Sequence, residues 1–166
     1  MSKLFVDSIE PKTTGGDITI PSFTGSTLQK SNIPSQVAFL AKKLGGSNVT
    51  SGIVDFETIV LNVGNGYSNS TYKFTAPVAG IYQLQCFCLT TSTASANDLQ
   101  IMINDVRYAQ ARIDVGSVAH NTISMATIAS LSVGNTVHMN FANSGGISAS
   151  EADWNNFSGY LIGAAS

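Results

Sequence analysis

The sequence predicts an all-β protein, a β-sandwich or jelly roll preceded by an extended arm, and three observations carry that reading. From Val37 onward, short runs of alternating apolar and polar residues are separated by turn signals at regular intervals. No stretch of useful length shows the 3.6-residue periodicity of a helix. Three of the four prolines, Pro11, Pro21 and Pro34, fall within the first 35 residues, where the apolar pieces are too short to form a core.

The arm, residues 1–35, contains two such pieces, Leu4, Phe5, Val6 and Ile9, then Ile18 and Ile20, joined by the turn-rich EPKTTGGD. A segment of this kind is ordered only when it lies on something else, so it is expected to dock on a partner protein or to wrap around sister copies. Fully stretched, 35 residues reach at most about 115 Å, a strap rather than a shaft. The head, residues 36–166, opens with a strand over Val37–Leu44, closed by Gly45 and Gly46. Ile53–Val63 follows as one bent or two short strands and ends at the turn Gly64–Gly66.

Tyr72–Thr75 leads into the best-specified stretch, which ends at Thr90. Pro77, Ala79 and Gly80 make a turn whose glycine can take positive φ. Beyond it, Tyr82, Leu84, Cys86 and Cys88 point to one face and Gln83, Gln85, Phe87 and Leu89 to the other. The first set reads as core. The second mixes amides with large apolar groups, which suits a surface buried against another subunit. Leu99–Ile103 then turns through Asn104-Asp105, a two-residue hairpin, into VRYAQARI. His120–Leu131 is a further strand, Gly134-Asn135 turns into Thr136–Phe141, and Phe157–Gly163 closes the chain after a loop holding its single tryptophan.

Composition narrows the function classes. Charged residues make up 11% of the chain, against about 25% ordinarily, and the net charge is -2. No basic cluster exceeds Lys42-Lys43, so neither nucleic acid nor an acidic membrane is an expected partner. The start, MSKLFVDSIEP, lacks the pattern of a signal peptide, and no apolar run is long enough to span a bilayer. Cys86 and Cys88 lie two apart on one strand, where parallel side chains pair poorly, and read as buried free thiols.

The order of motifs VAFLAKK, IVDFETIVLNVGNGYSNSTYKFTAPVAGIYQLQCFCL, LQIMINDVRYA, LSVGNTVHMNF and FSGYLIG resembles the globular head of complement component 1q, which is akin to tumour necrosis factor. The resemblance covers residues 37–163, and its most specific parts are Phe74–Tyr82 and Phe157–Leu161. It implies a ten-stranded jelly roll that forms a compact homotrimer. Mapped onto this chain, the threefold face would carry Gln83, Gln85, Phe87, Ser124, Ala126, Ile128, Phe157 and Leu161. The collagen stalk of the animal proteins has no counterpart here. Asn135 stands where the family commonly has an acidic residue, so no calcium role is carried over. The start SKLFVDSIEPKTTGGDITIP resembles instead the N-terminal segments of bacteriophage tail-fibre and other virion surface proteins.

Catalysis needs convergent acid, base or nucleophile groups, and none is evident. His120 and His138 have no Cys, Asp or Glu at ligand spacing, so no metal or other cofactor is expected. Asp55 with Glu57 reads as a solvated carboxylate pair. Asp153, Trp154 and Asn155 form a candidate glycan contact, an aromatic ring beside acidic and amide groups, although a tryptophan here can also plug the end of the sandwich. The chain is therefore expected to be a non-enzymatic bacteriophage virion protein on the particle surface. Its trimeric head would be held by the arm to another virion protein, either as a tail-fibre or appendage tip that binds host-surface glycan or as a capsid decoration. The alternative is a soluble, non-viral ligand-binding module of the complement-head type.

Overall fold

The computed structural model describes residues 36–91, 96–114, 120–142, 146–149 and 153–163. The expected arm, with Leu4, Phe5, Val6, Ile9, Ile18 and Ile20, lies outside them. The described residues form eleven strands and no helix: β1 Ala38–Lys42, β2 Gly52–Ile53, β3 Thr58–Val63, β4 Tyr67–Ser68, β5 Lys73–Thr75, β6 Gly80–Thr90, β7 Asn97–Ile103, β8 Val106–Ile113, β9 Asn121–Leu131, β10 Thr136–Ala142 and β11 Asn156–Gly163.

They make a two-sheet jelly roll. One sheet has five strands in the order β3-β1-β11-β6-β9; the other runs β4-β5-β10-β7-β8, with β2 also paired to β10. The pair β6 and β9 is matched antiparallel along its whole length, from Gly80 opposite Leu131 to Thr90 opposite Asn121. Period-two alternation sends Tyr82, Leu84, Cys86 and Cys88 inward, and all four are buried. Both cysteines are free thiols.

The core centres on an aromatic cluster. The Phe39 ring stacks on Phe74 at 4.6 Å and on Tyr67 at 5.4 Å, and meets Phe157 edge-on at 4.8 Å. Tyr67 donates its hydroxyl to the Phe56 carbonyl at 3.0 Å, which satisfies the one polar group in the cluster. Tyr67 belongs to β4, which falls between two of the expected strands. Here the Asn62 amide substitutes for a strand, accepting from Tyr67 N at 3.0 Å and donating to Tyr67 O at 2.9 Å.

Turn chemistry follows the sequence at Asn104-Asp105, where φ of 50° and 63° are the paired left-handed angles of a type I′ hairpin. Gly80 differs from expectation. It is absent from the positive-φ residues and opens β6, where a Cβ would stand 2.4 Å from Leu161 Cδ1 and 2.6 Å from Gly163 O. Glycine is needed there for the close approach of β11.

Lys43 is fully buried, its ammonium 2.8 Å from Asp55 Oδ1 and 2.9 Å from the Gly45 carbonyl. Asp55 is thus partner to a buried cation and not the solvated charge expected. Asp55→Ala leaves that cation uncompensated and is expected to cost about 2–3 kcal/mol, the Asp55 side chain being partly exposed. Lys43→Met, which removes the charge and keeps the packing, is expected to cost less than about 1 kcal/mol. Urea titration of both variants checks the contrast, and equal losses would contradict it.

Candidate functional site

The outer face of the five-stranded sheet is laid out in cross-strand rows. One runs Val63, Ala38, Tyr160, Gln83, Ile128, and the next runs Leu61, Leu40, Ser158, Gln85, Ala126. A third runs Thr58, Lys42, Asn156, Phe87, Ser124. Lys42 is the one charged side chain in these rows. Large apolar groups on the face are open to solvent: Ile128 is 58% exposed, Ile162 52%, Tyr160 48% and Val63 42%. The Tyr160 hydroxyl donates to Gln83 Oε1 at 3.0 Å, so the amide is held within the apolar row. A depression of about 380 Å³ opens between β6 and β9, lined by Gln85, Cys86, Phe87, Ser124, Met125 and Ala126.

Six of the eight residues expected on this face are there, joined as the pairs Gln83 with Ile128, Gln85 with Ala126 and Phe87 with Ser124. Phe157 and Leu161 are not. Phe157 pairs with Cys86 and Leu161 with Tyr82, both inward positions, so these side chains turn into the sandwich. Phe157 is fully buried and Leu161 packs against the core. The strand's outer positions belong to Ser158 and Tyr160, one residue out of phase with the expectation. Tyr160, Val63 and Leu61 were not singled out by the sequence reading. The unbroken apolar run IVL in β3 was the available signal, because a strand that faces water on one side ordinarily alternates.

The outer face of the other sheet is of opposite character. Arg112 holds Asp98 through two hydrogen bonds, at 2.7 and 2.9 Å. Asn140 donates to Gln100 at 2.9 Å, Gln100 to Gln110 at 3.1 Å, and Arg107 to Gln110 at 2.9 Å. Lys73 binds Asp105 at 2.6 Å, which holds that carboxyl below its ordinary range.

Beside them His138 is 3% exposed, with Nδ1 3.7 Å from Asp105 Oδ1 and no hydrogen-bond partner. Burial, with Lys73 nearby, pushes the imidazole below its ordinary range against the smaller opposing pull of Asp105. The unfolded chain therefore takes up this proton more readily than the native one. The stability His138 allows is present above about pH 6.5 and is lost as pH falls through the lower folded value. Thermal melts between pH 7.5 and 5.5 should fall less steeply for His138→Gln than for the wild type; parallel slopes would remove His138 from the account.

At one end of the five-stranded sheet, Lys42 donates to Asp153 Oδ1. Trp154 is 50% exposed, so it does not plug the sandwich. Asn155, expected as a ligand contact, is fully buried: its Oδ1 accepts from Leu89 N at 2.8 Å and its Nδ2 donates to Ser148 O at 2.7 Å. Both ends of the amide are thereby committed to joining β6 and the preceding loop. Among the described residues, no three His, Cys, Asp or Glu side chains are grouped to hold a metal.

A two-sheet jelly roll with a single charge, Lys42, in the rows of one outer face defines the class of domain, and the comparisons place this chain within it. The C1q domain family matches residues 38–162, and the chain belongs to that family. No curated protein matches the sequence. In fold, the chain is similar to murine APRIL, with a TM-score of 0.64 at 14% identity, covering 76% of this chain and 99% of that one. It is also similar to the Eiger tumour necrosis factor of S. frugiperda, with a TM-score of 0.62 at 9% identity, covering 80% and 96%. The globular domain of zebrafish complement 1qA gives 0.57 at 17% identity, covering 79% and 98%.

Proposed function

We propose that this chain is a non-enzymatic virion surface protein of a bacteriophage. Its head closes into a homotrimer through the outer face of the five-stranded sheet, and residues 1–35 attach it to another virion protein. The observation that carries the assembly is the contrast between the sheets. One outer face holds exposed Ile128, Tyr160, Val63 and Leu61 with a single charge at its border, while the other is a network of charges and amides. A monomer rarely leaves so continuous an apolar surface to water.

The two margins of the face differ. β3 brings Leu61 and Val63, whereas β9 brings Ile128, whose carbonyl accepts from the Tyr108 hydroxyl at 3.0 Å. Unlike margins favour a head-to-tail contact, which closes as a ring. Membership of the C1q family favours three copies in that ring. The mounting is supported by the N-terminal sequence and its likeness to virion segments, whether the head is an appendage tip or a capsid decoration.

Sedimentation velocity on the full chain should give three times the 17.4 kDa of one copy. Mass spectrometry of purified particles should find the chain in virions. Because the C1q match lies on the head alone, a soluble ligand-binding module is the second reading; a trimer absent from particles would establish that one, and a monomer at micromolar concentration would defeat both.

A further inference from the structure

The five-stranded sheet has two poles. At the first, Leu161 N donates to Val37 O at 2.9 Å and Ala38 faces Tyr160, so the chain enters and leaves the head side by side. At the second, Lys42 faces Asn156 and Lys43 N donates to Asn155 O at 3.2 Å. Trp154 stands at this second pole, beyond the row that holds Lys42. Five of the six described phenylalanines are buried, yet the largest aromatic side chain, Trp154, is half exposed at the end of the sheet opposite Ala38 and Tyr160.

We infer that this pole binds a neutral hexopyranose, with Trp154 as the platform and the Lys42–Asp153 pair as the polar clamp. An indole face is apolar and electron-rich, and the C–H face of a sugar ring is apolar with its hydrogens positive, so the two surfaces match. Hydroxyls at the rim of such a ring both donate and accept. Asp153 supplies a carboxylate with its side chain 72% exposed, and Lys42 supplies an ammonium already drawn to it. Together they carry no net charge, and the carboxylate is the more exposed member, 72% against 24% for Lys42, which favours a neutral sugar over a sialic acid, a uronic acid or a phosphate.

Asp153 has a φ of 72°, a left-handed angle uncommon outside glycine. That conformation is retained where the surroundings fix it. Leu44, 41% exposed, comes level with Trp154 when the β1–β11 register is continued, a second exposed apolar side chain at this pole. The inference deepens the host-facing form of the proposed function by naming a ligand class. Its chemistry does not depend on the virion, so absence of the chain from particles would leave it standing.

The chain contains one tryptophan, so emission excited selectively at tryptophan reports Trp154 alone. The full chain is titrated with millimolar methyl hexopyranosides and, separately, with a sialoside and a uronate. A saturable emission change with at least one neutral hexoside is expected, weakened about tenfold in Asp153→Asn. Calorimetric binding of the same sugar should be lost in Trp154→Ala, with the sedimenting mass unchanged. No response to any neutral hexoside, a response to the acidic sugars only, or retained binding in Trp154→Ala would overturn the inference. So would a fall in sedimenting mass in that variant, which would make the indole part of the contact between copies.

Discussion

Ile128→Asp is expected to leave the head folded and turn the proposed trimer into a monomer. Ile128 is 58% exposed in a single chain and pairs with Gln83 in the row that contains Tyr160. A carboxylate at that position costs the isolated head little, within about 0.5 kcal/mol, because it stays in water. In a closed ring it must be desolvated three times over without a cationic partner, at several kcal/mol each, which exceeds what an interface of ordinary strength can absorb. Sedimentation velocity at micromolar concentration reads the mass, and the far-ultraviolet circular dichroism spectrum confirms the strands. Gln110→Asp, the same gain of charge on the outer face of the other sheet, should leave the mass unchanged. Persistence of the trimer in Ile128→Asp would place the contact between copies elsewhere.

Phe157→Ala should act on folding instead. Its ring lies within the core, 4.8 Å from Phe39, 5.9 Å from Phe56 and 6.3 Å from Tyr67. Truncation removes the largest side chain β11 gives to the core and leaves a cavity among rings that have little freedom to collapse. The expected loss is about 3–5 kcal/mol, a large fraction of the stability of a domain this size. Urea denaturation read by tyrosine and tryptophan emission measures it. A loss below about 1 kcal/mol would mean the ring does not face the core. The two variants thus separate the face from the interior on either side of one sheet.

Much of the fold was legible because the head is built from strands whose alternation survives in the sequence. Tyr82, Leu84 and Cys86 against Gln83, Gln85 and Phe87 fixed the phase of β6, and its partner β9 followed. β11 was harder. In FSGYLIG both phases hold two large apolar residues, Phe157 with Leu161 and Tyr160 with Ile162, so periodicity alone does not choose. The choice is made by the third dimension, where Gly159 lets the Phe39 ring and Leu84 approach within 3 Å of where a side chain would begin.

β2 and β4, of two residues each, fall below what a pattern can reveal, and β4 depends on an amide five residues away. Lys43 was also hidden, since a lysine beside Lys42 reads as surface until Asp55 is seen to meet it. The candidate sugar contact was half legible: Trp154 and Asp153 stand where a ligand can reach them, but Asn155 is spent on joining β6 to the preceding loop, and Lys42 takes its place from a neighbouring strand that is distant in sequence.

The near absence of charge from the rows around Gln85 has a kinetic and environmental corollary. Dissolved ions have almost nothing there to screen, so copies joined through those rows, as proposed, would hold together alike in dilute buffer and in brine, and more tightly in sulfate, which strengthens apolar contact. The corresponding loss is of guidance at long range. Subunits meeting this way encounter one another at the unsteered rate of about 10⁵–10⁶ M⁻¹s⁻¹, so assembly in a crowded cell is set by how much chain is made, not by how strongly it attracts.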